Sequence, residues 1–317
     1  DDEYYRRQTE KALDSTPSTG DKAMAENKKT IFRGVGTALI TPMRDGEVDY
    51  PALRTLIDRQ VELGADALVI CGTTGESATL SDTERRRCIA SAIEYTDGRV
   101  PVIAGTGSNN IEKAASLSRY ASDAGADALL VVTPYYNKAT PEGLCRSFLH
   151  IARSASAPLI LYNVPSRTGC DIPISVYREL ARDERIVAVK EASGNPVAAQ
   201  KIIAETDGAL DVYSGNDELA GCVMALGGAG VISVVSNLLP DAMHRLTALC
   251  DGQSYTEAAS LQRSLLPLCD ALFSAVNPIP VKTALAMMGL CTYEMRLPLC
   301  RMSRQEEAQL REVMKRY

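Results

Sequence analysis

The chain has 317 residues, with 34 Lys plus Arg against 40 Asp plus Glu, and its formal net charge of -6 offers no basic field for gripping phosphates. Aromatics make up 5% of the residues and Trp is absent, so few platforms exist for stacking bases, and no nucleic-acid partner is expected. No apolar run approaches the roughly 18–20 residues of a membrane span, and the N-terminal stretch lacks a secretory hydrophobic region. These features predict a cytoplasmic protein with no membrane partner.

Residues 1–30 are polar with no sustained apolar period, and read as a flexible N-terminal extension. Met24 is a candidate true start, which would make residues 1–23 a leader outside the fold. Beyond them, eight short runs rich in Val, Ile, Leu and Ala recur at 35–41, 67–71, 100–104, 128–133, 158–163, 186–190, 210–214 and 230–235. The stretches between them, such as 52–63, 82–95, 111–124 and 141–154, carry apolar residues at helical spacing, with Gly or Asp near their ends. Runs this apolar, without strict alternation, suit parallel strands covered on both faces. Eight strand–helix units at this spacing predict an α/β fold, a (β/α)8 TIM barrel over residues 31–253, rather than a doubly wound sheet with fewer strands. From about residue 240 the strand runs stop. The stretches 241–250, 255–273, 282–290 and 304–317 read as helices, and residues 254–317 as a C-terminal helical region.

Nine cysteines are scattered singly, with neither a CxxC pair nor a disulfide-like framework, and are expected to be reduced core thiols. Only His150 and His244 are present, both in helical contexts, so a histidine metal site or a Ser-His-Asp triad has almost no material. Catalysis in such a barrel belongs at the C-terminal strand ends, and unusual residues gather there. Lys190 closes the run Ile186, Val187, Ala188, Val189. Alternation puts Ala188 and Lys190 on one face, with Val187, Val189 and Glu191 on the other. If the first face lines a narrow barrel, burial favours the neutral amine over the ammonium, and a neutral amine attacks carbonyls to form Schiff bases. The competing reading is an ordinary strand-end lysine that snorkels to water.

The second run ends in Gly72-Thr73-Thr74-Gly75-Glu76, whose glycines let backbone N–H groups approach a small anion and whose hydroxyls add donors. A plain capped turn into a helix explains the same letters. Tyr162 near the fifth strand end is placed to exchange protons, or simply to satisfy a buried hydrogen bond. Arg167 offers a fork for a carboxylate, or a structural ion pair. No GxGxxG or GxxxxGK[ST] follows a strand, so nucleotide binding lacks its fingerprint.

In order along the chain, GTALITPM (36–43), GTTGESATL (72–80), VIAGTGSN (102–109), VTPYYN (132–137), LYNVPSRTGCD (161–171), VKEASGN (189–195), GGAGVISV (227–234) and NPIPVK (277–282) resemble the dihydrodipicolinate synthase family of pyruvate-dependent class I aldolases. The resemblance covers residue 31 to the end. Sialic-acid lyases of the wider superfamily usually have Ser at the position of Thr73 and lack Arg167, so these two residues point to the synthase. The resemblance implies condensation of pyruvate with L-aspartate 4-semialdehyde on the way to diaminopimelate and lysine, with no cofactor or metal. Lys190 would form the pyruvate imine, and Thr73 and Thr74 would hold the pyruvate carboxylate. Tyr162, Thr74 and Tyr136 would relay protons, Tyr136 serving a neighbouring subunit's site within a homotetramer built as a dimer of dimers. Arg167 would bind the semialdehyde carboxylate, and Gly215 and Ile232 would line the pocket.

The family's lysine-effector site maps onto Ser77, Ala78, Asp82, Arg85, Gly107, Asn109, Lys113 and Tyr135. Asp82 and Arg85 stand where sensitive members have histidines, and Lys113 where they have Glu, so weak or absent lysine inhibition is expected. Three other classes stay open at this point. They are a pyruvate aldolase using Lys190 on another aldehyde, a phosphate-binding isomerase barrel for which GGAG at 227–230 is a poor phosphate loop, and a non-catalytic barrel that gains nothing from Lys190, Tyr162 and Thr74 occurring together.

Overall fold

The computed structural model describes residues 30–317. The expectations for residues 1–29 lie outside the described part. Eight parallel strands close into a barrel: β1 (Gly34–Ala38), β4 (Ala67–Ile70), β5 (Val102–Gly105), β6 (Ala128–Val132), β7 (Leu159–Asn163), β8 (Ile186–Glu191), β9 (Asp211–Ser214) and β10 (Gly230–Ser233). Each pairs with its sequence neighbours, and β1 pairs with both β4 and β10 to complete the ring. All eight predicted runs are strands. The first is shorter than expected, ending at Ala38, because the chain leaves the barrel there and makes a small antiparallel pair, β2 (Met43–Arg44) with β3 (Glu47–Val48), which the sequence reading missed.

Each barrel strand is followed by a helix: α1 (Tyr50–Glu62), α2 (Asp82–Thr96), α3 (Ile111–Asp123), α4 (Pro141–Arg153), α6 (Ile174–Leu180), α7 (Pro196–Glu205), α8 (Ala220–Ala225) and α9 (Pro240–Asp251), with a single-turn α5 (Pro165–Thr168) inserted after β7. Local chemistry sets the starts. Ser81 and Glu84 form a reciprocal capping box on α2, Asn110 caps α3 through the Lys113 amide, and Thr140 caps α4 just before a Pro at its first turn. Three helices follow the barrel: α10 (Tyr255–Leu272), α11 (Ile279–Met287) and α12 (Arg304–Met314).

Two apolar layers result. Val35, Leu68, Ile70, Leu129, Leu161, Val189 and Val231 belong to the large cluster shared with the helices, while Val69, Ile103, Leu130, Ile160, Ala188 and Ile232 form the smaller cluster inside the barrel. Val187 departs from the expected alternation. Leu159 pairs with Ile186 but Ile160 pairs with Ala188, so Val187 is an extra residue in β8 and packs with the inner cluster rather than the outer one. Phe32 plugs the barrel's lower end, stacked 4.3 Å from Tyr213, whose hydroxyl donates to the Phe32 carbonyl at 2.7 Å. Among the described residues no helix is long and apolar enough to cross a membrane. Five cysteines are buried, but Cys222 and Cys300 are exposed, so those two are not the core thiols the sequence reading expected.

Candidate active site

Lys190 and Tyr162 sit side by side, as register partners on β8 and β7. Both are buried, at 6% and 7% exposure, and the Lys190 Nζ stands 4.4 Å from the centre of the Tyr162 ring. Lys190 makes no hydrogen bond or ion pair with any described residue. Behind it, on the outward face, Glu191 is occupied: it accepts from Asn163 Nδ2 at 2.9 Å and from the Ser193 amide at 2.7 Å. The bulge at Val187 leaves Ala188 and Lys190 on the inner face, as the strand-end reading requires.

The turn after β4 is folded tightly on itself. The Gly75 amide donates to the Gly72 carbonyl at 3.1 Å and the Glu76 amide to Thr73 at 3.0 Å. The amides of Thr73 and Thr74 donate to no protein group among the described residues. Cys71 at the strand end and Glu76 take left-handed φ angles of 56° and 53°. The neighbouring strand is drawn close: a Cβ on Gly105 would lie 2.2 Å from the Cys71 carbonyl oxygen, so only glycine fits. Gly215 is equally confined, since a Cβ there would meet the Ala192 Cβ at 2.4 Å.

A cavity of about 290 Å³ opens above this turn, lined by Thr73, Glu76, Val164, Arg167 and Asn277 among others. It shares Thr73, Ser77, Arg85, Gly107 and Val132 with a smaller recess of about 40 Å³ that reaches Tyr162. Thr73, Tyr162 and Arg167 therefore face connected space. Thr74 is buried beside it, its hydroxyl accepting from Asn277 Nδ2 at 3.0 Å. Arg167, on α5, is aimed by a bond from Nη2 to the Asn277 carbonyl at 3.1 Å. Ile232 belongs to the inner cluster with Tyr162. Tyr136 is not gathered in: it is 90% exposed, with a left-handed φ of 74°, and lines neither cavity.

A second cavity, of about 470 Å³, is lined by Ser77, Ala78, Asp82, Arg85, Asn109, Lys113 and Tyr135 together with Arg86. Gly107 lines the first cavity instead. Arg85 forms part of the wall between the two, with Nη2 donating to the carbonyls of Gly105 at 2.9 Å and Gly107 at 3.4 Å.

The sequence reading missed the residues that hold this site from above. Glu76 is paired to Lys282 of α11 at 2.5 Å, and Arg296 grips Glu84 of α2 and the Thr79 carbonyl. NPIPVK was noticed as a block, but nothing in it announced which residues it would touch some 200 positions earlier. The two histidines lie outside the cavities: His244 contacts Asp66 at 3.0 Å, and His150 contacts Glu112 at 3.1 Å.

A parallel barrel with a buried lysine at a strand end, without an ion-pair partner among the described residues and beside a phenol and a donor-rich turn, carries the groups that imine-forming aldolase-type barrels use. Residues 31–317 match the model of the dihydrodipicolinate synthetase family, and the chain belongs to that family. It is 50% identical over 274 residues to the 4-hydroxy-tetrahydrodipicolinate synthase of Lachnoclostridium phytofermentans, covering 86% of this chain and 93% of that one. It superposes on the dihydrodipicolinate synthase of Aquifex aeolicus with a TM-score of 0.89 at 44% identity, covering 90% and 98% of the two chains. The pyruvate complex of the Acinetobacter baumannii enzyme gives a TM-score of 0.88 at 42% identity, covering 90% and 99%.

Proposed function

We propose that this chain condenses pyruvate with L-aspartate 4-semialdehyde to 4-hydroxy-tetrahydrodipicolinate, the entry to diaminopimelate and lysine, with Lys190 as the nucleophile. The observation that carries the reading is Lys190 itself, buried at the end of β8 with the Tyr162 ring against its Nζ and no carboxylate paired with it among the described residues. The amine adds to the keto carbon of pyruvate, and loss of water leaves an iminium. Loss of a methyl proton then gives the enamine. Its carbon attacks the aldehyde, whose oxygen takes a proton. The semialdehyde's own amino group then displaces Lys190 from the imine carbon, closing the ring and freeing the enzyme.

Thr73 and Thr74 supply donors for the pyruvate carboxylate, supported by two backbone amides with no acceptor among the described residues. Tyr162 exchanges protons at the imine and the aldehyde oxygen, and Thr74 links it to Tyr136. The exposed, left-handed Tyr136 suits a role in the site of a second copy, within a tetramer made of paired dimers. Arg167 binds the semialdehyde carboxylate, while Gly215 and Ile232 close the pocket around the pyruvate. The cavity around Lys113 corresponds to the effector site, altered in charge.

Borohydride in the presence of pyruvate should leave a stable adduct on the peptide carrying Lys190. An adduct confined to Lys282, or none, would sink the mechanism.

A further inference from the structure

We infer that Arg85 supplies the positive charge that draws the pyruvate carboxylate into the catalytic recess, acting through space from behind the Thr73-Thr74 turn; the inference rests on the reading of Lys190 and of that turn given above.

Arg85, on α2, lines the larger cavity, the recess that reaches Tyr162 and the second cavity, so its side chain stands between all three. Its Nη2 donates to the carbonyls of Gly105 at 2.9 Å and Gly107 at 3.4 Å. Its Nε is buried with no acceptor, and among the described residues no carboxylate forms an ion pair with it. Asp82, exposed at the start of α2, and the Tyr135 phenol act on it as a field rather than through a bond. Burial pulls the guanidinium below its ordinary pKa, the direction expected of a cation short of a counter-charge, yet an arginine stays protonated at any working pH. Buried donors and buried charges are almost always matched, so this one calls for an anion.

Two substrates bring one carboxylate each, and the lining of the larger cavity holds two guanidiniums, Arg167 and Arg85. Arg167 is tied to the Asn277 carbonyl and serves the semialdehyde in the proposed function. The pyruvate end offers hydroxyls and free amides, which donate hydrogen bonds but carry no net charge. In the recess that joins Thr73 to Tyr162, Arg85 is the one cation in the lining. Glu76, the acid in the lining of the larger cavity, is neutralised by Lys282, so it does not cancel the field. Away from bulk water a unit charge acts over several ångströms, and Arg85 need not touch the carboxylate to favour it. The second cavity has a weaker claim on this charge. Arg86 and Lys113 already line that space, while the bond to Gly105 holds Arg85 at the C-terminal end of β5, where the barrel's chemistry is placed.

The test traps the imine on Lys190 with cyanoborohydride at low keto-acid concentration and compares pyruvate with methyl pyruvate, which has the same ketone but no charge. The readout is the ratio of the two trapping rates within each variant, which a partly unfolded sample leaves unchanged. Arg85→Gln keeps a donor for the two carbonyls and removes the charge, and should lower the ratio about 10- to 30-fold, the scale of one charge several ångströms away at an effective dielectric near 20. Arg85→Lys keeps the charge and should restore most of the ratio. A ratio unchanged in Arg85→Gln, whether both rates fall alike or neither falls, would overturn the assignment and leave Arg85 to packing or to an anion in the second cavity. A ratio lowered equally in Arg85→Lys would overturn it as well, since geometry rather than charge would then be at work. No adduct on Lys190 with pyruvate in the unaltered protein means that the underlying reading fails, whereas an adduct with an unchanged ratio means that only the role of Arg85 fails.

Discussion

Lys282 Nζ and Glu76 Oε1 lie 2.5 Å apart with both side chains fully buried, joining α11 to the turn that carries Thr73 and Thr74. A buried pair of this kind contributes little net stability against apolar replacements, but removing one partner leaves a charge stranded without water. Lys282→Met alone should therefore cost about 3–5 kcal/mol, and the double change Glu76→Gln with Lys282→Met distinctly less. Urea unfolding at a fixed protein concentration measures both; equal losses would show that the pair acts through packing rather than charge.

The contrast with Lys190 bears on what a sequence reveals. Both lysines sit among apolar residues, and spacing alone does not tell which one is held in an ion pair. The eight strands were legible because each is a dense Val, Ile, Leu and Ala run at a regular interval, and Lys190 because it ends one of them beside Glu191-Ala192-Ser193-Gly194. The bulge at Val187 was not legible, since an extra residue leaves no mark in an unbroken apolar run. Neither was the roof of the site. The contacts of Asn277 with Thr74 and of Lys282 with Glu76 span 203 and 206 residues, and only the folded chain defines such pairs.

Arg296 and Glu84 provide a pH prediction. The guanidinium donates to both oxygens of Glu84 at 2.6 and 2.9 Å and holds its carboxyl down to about 2, from an ordinary value of 4.5. A depressed folded-state pKa adds stability that is fully present above the unfolded value and is lost as pH falls toward the folded one. Both groups keep about a quarter of their side-chain surface exposed, so solvent screening limits the effect to about 1–2 kcal/mol. Glu84→Gln should be less stable by that amount at pH 7, and the gap should close between pH 4.5 and 2. A gap that stays constant across that window would remove the ion pair from the account.

Arg167→Ala should impair use of the semialdehyde far more than formation of the pyruvate imine, because the proposed function assigns the guanidinium to the second substrate. The loss in kcat/KM for the semialdehyde should correspond to about 2–5 kcal/mol, as for truncating one member of a partly buried charged contact. Borohydride trapping with pyruvate alone should proceed nearly as in the unaltered protein. Equal damage to trapping would move Arg167 to the pyruvate end of the site.

The cavity around Lys113 leads to the last prediction, insensitivity or weak sensitivity to L-lysine. Its charged lining comprises Asp82 against Arg85, Arg86 and Lys113, an environment that repels an amino group. Reversing one charge within about 4 Å changes an interaction by several kcal/mol at an effective dielectric near 20, enough to abolish millimolar binding. Two carboxylates are close enough in sequence to restore the lost acceptor. Glu112 is turned away, 3.1 Å from His150, and Asp82 already lines a wall that holds three cations. Arg85 is tied to the carbonyls of Gly105 and Gly107, so its charge stays in that wall when a ligand enters. Initial rates at saturating pyruvate, with lysine raised to tens of millimolar, should fall only slightly; half-inhibition below about 1 mM would mean that Asp82 or a residue from a second copy rebuilds the site.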